Sequence, residues 1–317
     1  MKKCFLIALV AFPAFVTGLQ AVEAQNQNPV PAPEVTLFAP GELPTTATNS
    51  AAPAFSPDGK IVLLGQSSGG SNISIMQSHR EGKNWSVPEF PTFSEKYHDL
   101  EPAFSPDGKY LIFASNRPAT AGGTEVDGYY NGNKYPGSGG NLWRVDYRNK
   151  AWGTPELLPS GINANGSVFS PAIAGDGSLY FMRADSGAKF HIYRAQMRNG
   201  QFESPVPASF TINKYGDYDP AVAPDESFII FSSPRPPAPE HTADLFIAFR
   251  GKSGWSDPID LRSLLSENVY GVEARLSPDG NTLYFSNSRN ASGLKDPKAT
   301  YIWKVDISGI LKVHGLR

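Results

Sequence analysis

The stretch that decides the fold is Glu101-Pro-Ala-Phe-Ser-Pro-Asp-Gly108, continued by Lys-Tyr-Leu-Ile-Phe-Ala-Ser-Asn-Arg117. An apolar segment runs into a turn, and a run rich in Tyr, Leu, Ile and Phe leaves it. The turn chemistry is explicit. Proline pre-sets φ at the second position, aspartate accepts backbone N–H bonds, and glycine takes the positive φ that ends the turn. The same pattern recurs at Ala52-Pro-Ala-Phe-Ser-Pro-Asp-Gly59, Ser170-Pro-Ala-Ile-Ala-Gly-Asp-Gly177, Asp219-Pro-Ala-Val-Ala-Pro-Asp-Glu226 and Glu273-Ala-Arg-Leu-Ser-Pro-Asp-Gly280. The turn aspartates Asp58, Asp107, Asp176, Asp225 and Asp279 are spaced by 49, 69, 49 and 54 residues. Six residues after each lies an inward-facing apolar side chain, Leu64, Phe113, Phe231 or Phe285, with Phe181 one residue early.

Each unit continues with a third strand, beginning at Asn72, Asn141, His191, Asp244 and Tyr301. A fourth strand is predicted to begin with an aromatic residue three positions before a proline: Trp85/Pro88, Trp152/Pro155, Phe202/Pro205 and Trp255/Pro258. Proline suits an outer edge strand, which need not donate on both sides. Four strands repeated at ~50 residues is the arithmetic of a β-propeller blade. The fifth unit ends at Ile307 without its outer strand, and Pro33-Glu-Val-Thr-Leu37 resembles Pro155-Glu-Leu-Leu158. The N-terminal strand is therefore expected to complete the last blade and close the ring. This gives an all-β, five-bladed propeller over residues 35–307, with a six-bladed ring containing one cryptic repeat as the alternative.

Composition agrees with this. The 317 residues include 30 glycines and 28 prolines, and only 18% are charged, against roughly 25% in an average soluble protein. Such a chain is a poor helix former, and its 40% apolar content argues against disorder. The formal charge of −2 and the lack of a basic run give no electrostatic footprint for nucleic acid. Residues 1–24 read as a secretory signal: Lys2 and Lys3, an apolar stretch over residues 5–16, then Val22-Glu23-Ala24 before cleavage. The apolar stretch is too short for a membrane span. Its removal takes away Cys4, the only cysteine, so no disulfide is expected in the exported chain. Residues 25–34 read as a linker and 308–317 as a C-terminal tail. A periplasmic or secreted monomer is expected.

The run from Ser105 to Arg117 resembles the WD-like propeller repeat of TolB-type periplasmic proteins, and the resemblance extends over nearly all of residues 35–307. It implies a propeller and a binding or scaffolding role. The same repeat type also occurs in peptidase propellers and oligogalacturonate lyases. TolB-type proteins carry an additional N-terminal α/β domain, for which the residues before the first repeat leave no room.

Chemistry is expected at the channel mouth formed by the loops before each first strand and after each second strand. An acid stands six positions before the turn aspartate in blades two, four and five (Glu101, Asp219, Glu273), and an arginine ten positions after it in the same blades (Arg117, Arg235, Arg289). Blades one and three carry Ala52/Ser68 and Ser170/Asp185 there. Acids and arginines that come and go together are read as ion-pair partners between adjacent strands. That leaves Tyr97, His98, Asp99, Asn165, Arg183, Tyr215, Asp217 and Tyr270 as candidate ligand-binding residues around a polar mouth. Tyr129 and Tyr130 join them from the glycine-rich insertion at residues 118–140, a candidate specificity loop. The expected function is non-covalent binding of a polar small molecule, glycan, peptide or protein. The alternative is a glycan lyase or hydrolase using His98, Glu101, Asp217 and Arg183. No G-x-S-x-G elbow is present, and no His or Cys spacing suits zinc. No cofactor is expected; scattered Asp and Asn supply oxygens of the kind Ca²⁺ takes, but no contiguous loop requires it.

Overall fold

A computed structural model of the chain describes residues 33–38, 53–67, 73–185, 189–211, 214–239, 242–265, 269, 271–287 and 301–316. Residues 1–32, Ala52, Ser68, Tyr270 and Arg289 lie outside them.

Five antiparallel sheets follow one another along the chain, each built inner strand, middle strand, third strand, outer strand. The inner strands are Ala54–Phe55, Asp99–Phe104, Val168–Ile173, Tyr218–Val222 and Val272–Leu276. The turn that follows each is held as its sequence dictates. In blade one, Ser56 donates to Asp58 at 2.7 Å, Asp58 accepts from the Lys60 N–H, and Gly59 sits at φ +67°. In blade four Glu226 takes that left-handed position at φ +56°. Its carboxylate then receives Arg194 at 2.6 Å and the Tyr180 hydroxyl at 2.7 Å from blade three. A residue strained by its backbone thus ties two blades together.

The ring closes with the N-terminal strand. Thr36–Leu37 pairs antiparallel with Tyr301–Asp306, placing Thr36 opposite Lys304 and Leu37 opposite Trp303. Phe38 follows, 7% exposed, in a cluster with Ile302 of blade five and Val62 and Leu64 of blade one. The rest of the core divides the same way, one apolar cluster between each neighbouring pair of blades. The middle-strand residues Leu64, Phe113, Phe181, Phe231 and Phe285 are all buried. Among the described residues the core is a set of wedges, each of which needs both neighbouring blades.

The outer strand differs from the expected form. The aromatic residue ends a two-residue hairpin arm, as in Ala151–Trp152 against the end of Asn141–Arg148. The proline then breaks the strand, and a second short piece, Glu156–Leu157, pairs further along the same neighbour. Proline has no N–H to extend the ladder, so it marks the gap. Trp152 reaches blade one, donating from Nε1 to Gln77 Oε1 at 2.8 Å. After Ile307 the chain forms the helix Ser308–Val313, whose Ile310 and Leu311 are buried in the cluster between blades four and five.

The insertion of residues 118–140 is an ordered strap from blade two to blade three. Its hairpin pairs Gly128–Tyr130 with Asn133–Tyr135. Tyr130 stacks on Tyr135 at 4.1 Å and packs against Phe190 of blade three. The Tyr129 N–H donates to Ser167 Oγ at 2.6 Å, and Gly140 and Val168 exchange backbone bonds with Gly166 and Gly140. Gly140 has to be glycine: a Cβ there would stand 2.3 Å from the Phe169 ring.

Candidate functional site

The inner strands line the axis. Residues 53–55, 102–104, 171–173, 220–222 and 275–276 surround a cavity of about 330 Å³ that continues to the turn prolines Pro57, Pro106, Pro224 and Pro278. The loop-side ends of the same strands carry a second feature. Glu101, Ser170, Asp219 and Glu273, equivalent positions in blades two to five, all have left-handed backbone, with φ of +52°, +47°, +51° and +59°. At each, the pairing with the middle strand slips by one residue. Such a bulge turns its side chain out of the strand's alternation.

The consequence corrects the expected ion pairs. In a regular strand residues i and i+2 share a face, so Asp99 and Glu101 would point alike. The bulge separates them. Arg117 donates to Asp99 at 2.7 Å, and Arg235 to Asp217 at 2.6 Å; both acids are wholly buried. Neither arginine pairs with Glu101 or Asp219. Each also donates from Nε to a strand serine, Ser115 or Ser233, and lies over blade aromatics, Phe113 and Trp143 or Phe231 and Phe246. Burial pushes the Asp99 carboxyl up, and the Arg117 charge opposes that. Blade three reaches a similar stack by another route: Arg183, at the position of Ser115, lies 4.0 Å over Tyr193, whose hydroxyl donates to Asp185.

Glu101, Asp219 and Glu273 instead turn to the axis and are joined by a belt of hydrogen bonds from blade to blade. Ser170 donates from its N–H to Glu101 Oε2 and from its hydroxyl to Asp219 Oδ1, both at 2.7 Å. Ser232 donates to Asp219 Oδ2 at 3.3 Å and accepts from the Glu273 N–H at 3.2 Å, while Ser286 donates to Glu273 at 2.7 Å. Glu101 Oε1 accepts from no described residue. Burial raises the Glu101 carboxyl to about 7; the charges of Asp219 and Glu273 add to this, and Arg275 opposes it. Among the described residues no three His, Cys, Asp or Glu side chains group closely enough to hold a metal ion.

The remaining sequence candidates disperse. Tyr97 lies against Lys96 and Arg117. His98 is fixed through Asn116, which accepts its backbone N–H at 2.9 Å; its Nε2 is buried without a partner, and burial lowers its pKa. Asn165 donates to the Ala184 carbonyl and accepts from the Ser167 N–H at 3.1 Å, a loop-holding role. Arg183 also donates to the Gly161 carbonyl at 3.1 Å. Tyr215 is half-buried under Lys214. Tyr129 is exposed on the strap beside Lys134. Of the four candidate catalytic residues, Glu101 alone belongs to the carboxylate belt. Asp219, Glu273 and Ser170 were absent from the sequence-based site; an aspartate eight positions before the turn aspartates of blades two and four, Asp99 and Asp217, was the available sign that the arginines had other partners.

No family model matches the chain, and no curated protein matches it in sequence. Solved structures with a similar fold include TolB from Acinetobacter baumannii, at 16% identity and TM-score 0.49, covering 81% of this chain and 54% of that one. They also include a thermostable family-43 glycoside hydrolase, at 12% identity and TM-score 0.51, covering 82% and 90%. A putative TolB from Agrobacterium tumefaciens has 16% identity and TM-score 0.41, covering 81% and 90%. The chain thus spans about half the length of the Acinetobacter protein. At these identities the likeness is one of fold alone. No helix among the described residues is long and apolar enough to cross a membrane.

Proposed function

We propose that this chain is an exported propeller that binds a ligand without covalent chemistry at the loop-side mouth of its channel. The observation that carries the reading is the belt joining Glu101, Ser170, Asp219 and Glu273. Above about 7, where it ionises, the Glu101 carboxylate is an acceptor only, and it retains an oxygen that accepts from no described residue. The favoured ligand therefore presents N–H or O–H donors, as a sugar or a basic peptide side chain does. A propeller suits this role because strands from separate blades fix the acceptors on a rigid ring.

One observation favours a second reading, glycoside hydrolysis. A carboxyl raised to about 7 beside other carboxylates matches the division of labour between a general acid and its partner. The experiment is a screen of oligosaccharides and basic peptides against wild type and Glu101→Gln, following both binding and product release. Saturable binding without product, weakened by Glu101→Gln, supports the binding protein. Product release abolished by Glu101→Gln supports the hydrolase and removes the binding-only reading.

A further inference from the structure

The repeat carries alanine on the inner strand next after its proline in four blades, at Ala54, Ala103, Ala172 and Ala221; in blade five the residue is Arg275. All five positions line the 330 Å³ cavity, which faces the Ser-Pro-Asp-Gly turns, away from the loop-side mouth. Arg275 is only 9% exposed. Its guanidinium makes one protein hydrogen bond, from Nη1 to the neighbouring Ala274 carbonyl at 2.8 Å, and its Nε is buried with no partner. Among the described residues no carboxylate oxygen lies within ion-pair distance of it. A buried cation so poorly matched is costly, and alanine at this site is compatible with the fold four times over. Glu101 is near enough for its charge to act on Arg275, yet none of the belt bonds made by Ser170, Ser232 and Ser286 involves the guanidinium.

The other lining side chains are mostly apolar, Phe55, Phe104, Ile173, Val222, Leu276 and the prolines, with Ser105, Ser277 and strand backbone adding polar surface. Guanidinium N–H groups set among largely apolar side chains suit one chemical class, a carboxylate carried on an apolar body, the carboxylate taking the forked donors and the body covering the apolar side chains. We infer that the turn-side cavity binds a monocarboxylate of this kind, either a free apolar acid or the C-terminal carboxylate of a short apolar peptide, with Arg275 as its anchor. This site is separate from the loop-side mouth and does not rest on the function proposed there.

The test uses the full propeller and titration calorimetry with 4-phenylbutyrate, with the tripeptide Ala-Ala-Phe, and with their uncharged counterparts 4-phenylbutanol and amidated Ala-Ala-Phe. Wild type is expected to bind at least one of the acids saturably and neither uncharged counterpart measurably. Which acid binds identifies the source of the carboxylate. Arg275→Ala is expected to weaken binding roughly tenfold or more, the scale of a lost charge-assisted hydrogen bond, with an unchanged circular dichroism spectrum. Arg275→Lys keeps the charge but not the fork and is expected to fall between. No binding of either acid, equal binding of acid and uncharged counterpart, or equal binding by Arg275→Ala would each overturn the proposal.

Discussion

Arg117 and Asp99 form a buried ion pair at 2.7 Å, although Glu101 is the acid whose occurrence along the repeats follows that of the arginine. The left-handed bulge at Glu101 sends that carboxylate to the axis and leaves Asp99 on the arginine's side. Blade four repeats the arrangement with Arg235 and Asp217 at 2.6 Å. The belt therefore does not share its charges with these arginines.

A double-mutant cycle reads this directly. Arg235→Ala leaves Asp217 buried and unmatched and is expected to cost ~3–5 kcal/mol in denaturant unfolding. Adding Asp217→Ala should cost much less than the sum, with a coupling well above that between Arg235 and Asp219. Stronger coupling to Asp219 would restore the pairing suggested by co-occurrence.

Ring closure depends on a very short strand. Phe38 is buried where blades five and one meet, so Phe38→Ala is expected to cost ~3–5 kcal/mol. The same variant should speed amide exchange in Tyr301–Asp306, the strand that Thr36–Leu37 covers. Unchanged exchange there would place the closing contact elsewhere.

The strap offers a contrast between two glycines. At Gly140 an added Cβ would meet the Phe169 ring at 2.3 Å, whereas at Gly132, φ +73°, nothing lies within 4 Å. Gly132→Ala carries only the left-handed penalty, ~1–2 kcal/mol. Gly140→Ala is expected to lift the strap from blade three, seen as faster exchange across residues 128–135 and greater Tyr129 and Tyr130 accessibility. Equal effects of the two substitutions would count against the packing account.

Glu101 gives the pH dependence its sign. Its carboxyl is raised to about 7 in the fold, from an ordinary value of 4.5. The native state then holds its proton more tightly than the unfolded chain does, so this contribution is fully present below about 4.5 and is lost as pH rises toward 7. The loss amounts to ~3 kcal/mol at most. Glu101→Gln, which cannot ionise, is expected to flatten the stability curve over that window. A wild-type curve that is already flat there would remove the claim.

Blade count and closure were legible because local chemistry and global fold agree: Pro57, Asp58 and Gly59 can hardly form anything but a turn, and Val35, Thr36 and Leu37 stand where an outer strand was missing. The direction of Glu101 was not legible. A positive φ at a non-glycine residue has no compositional sign, and one such residue reverses which acids face the axis. Arg275 was visible as a break in the Ala54, Ala103, Ala172, Ala221 series. Its meaning required the cavity, which no spacing displays. The order of the 118–140 strap was hidden for a similar reason: Gly139 and Gly140 serve close packing on Gly166 and Phe169 rather than mobility.

The central claim is that Glu101, Asp219 and Glu273 converge on the channel axis. The most direct measurement is a ¹³C NMR titration of the Glu101 side-chain carboxyl in wild type and Asp219→Asn. The account predicts a midpoint near 7 in wild type, moved down when the neighbouring charge is removed. A midpoint in the ordinary glutamate range, unmoved by Asp219→Asn, would contradict it.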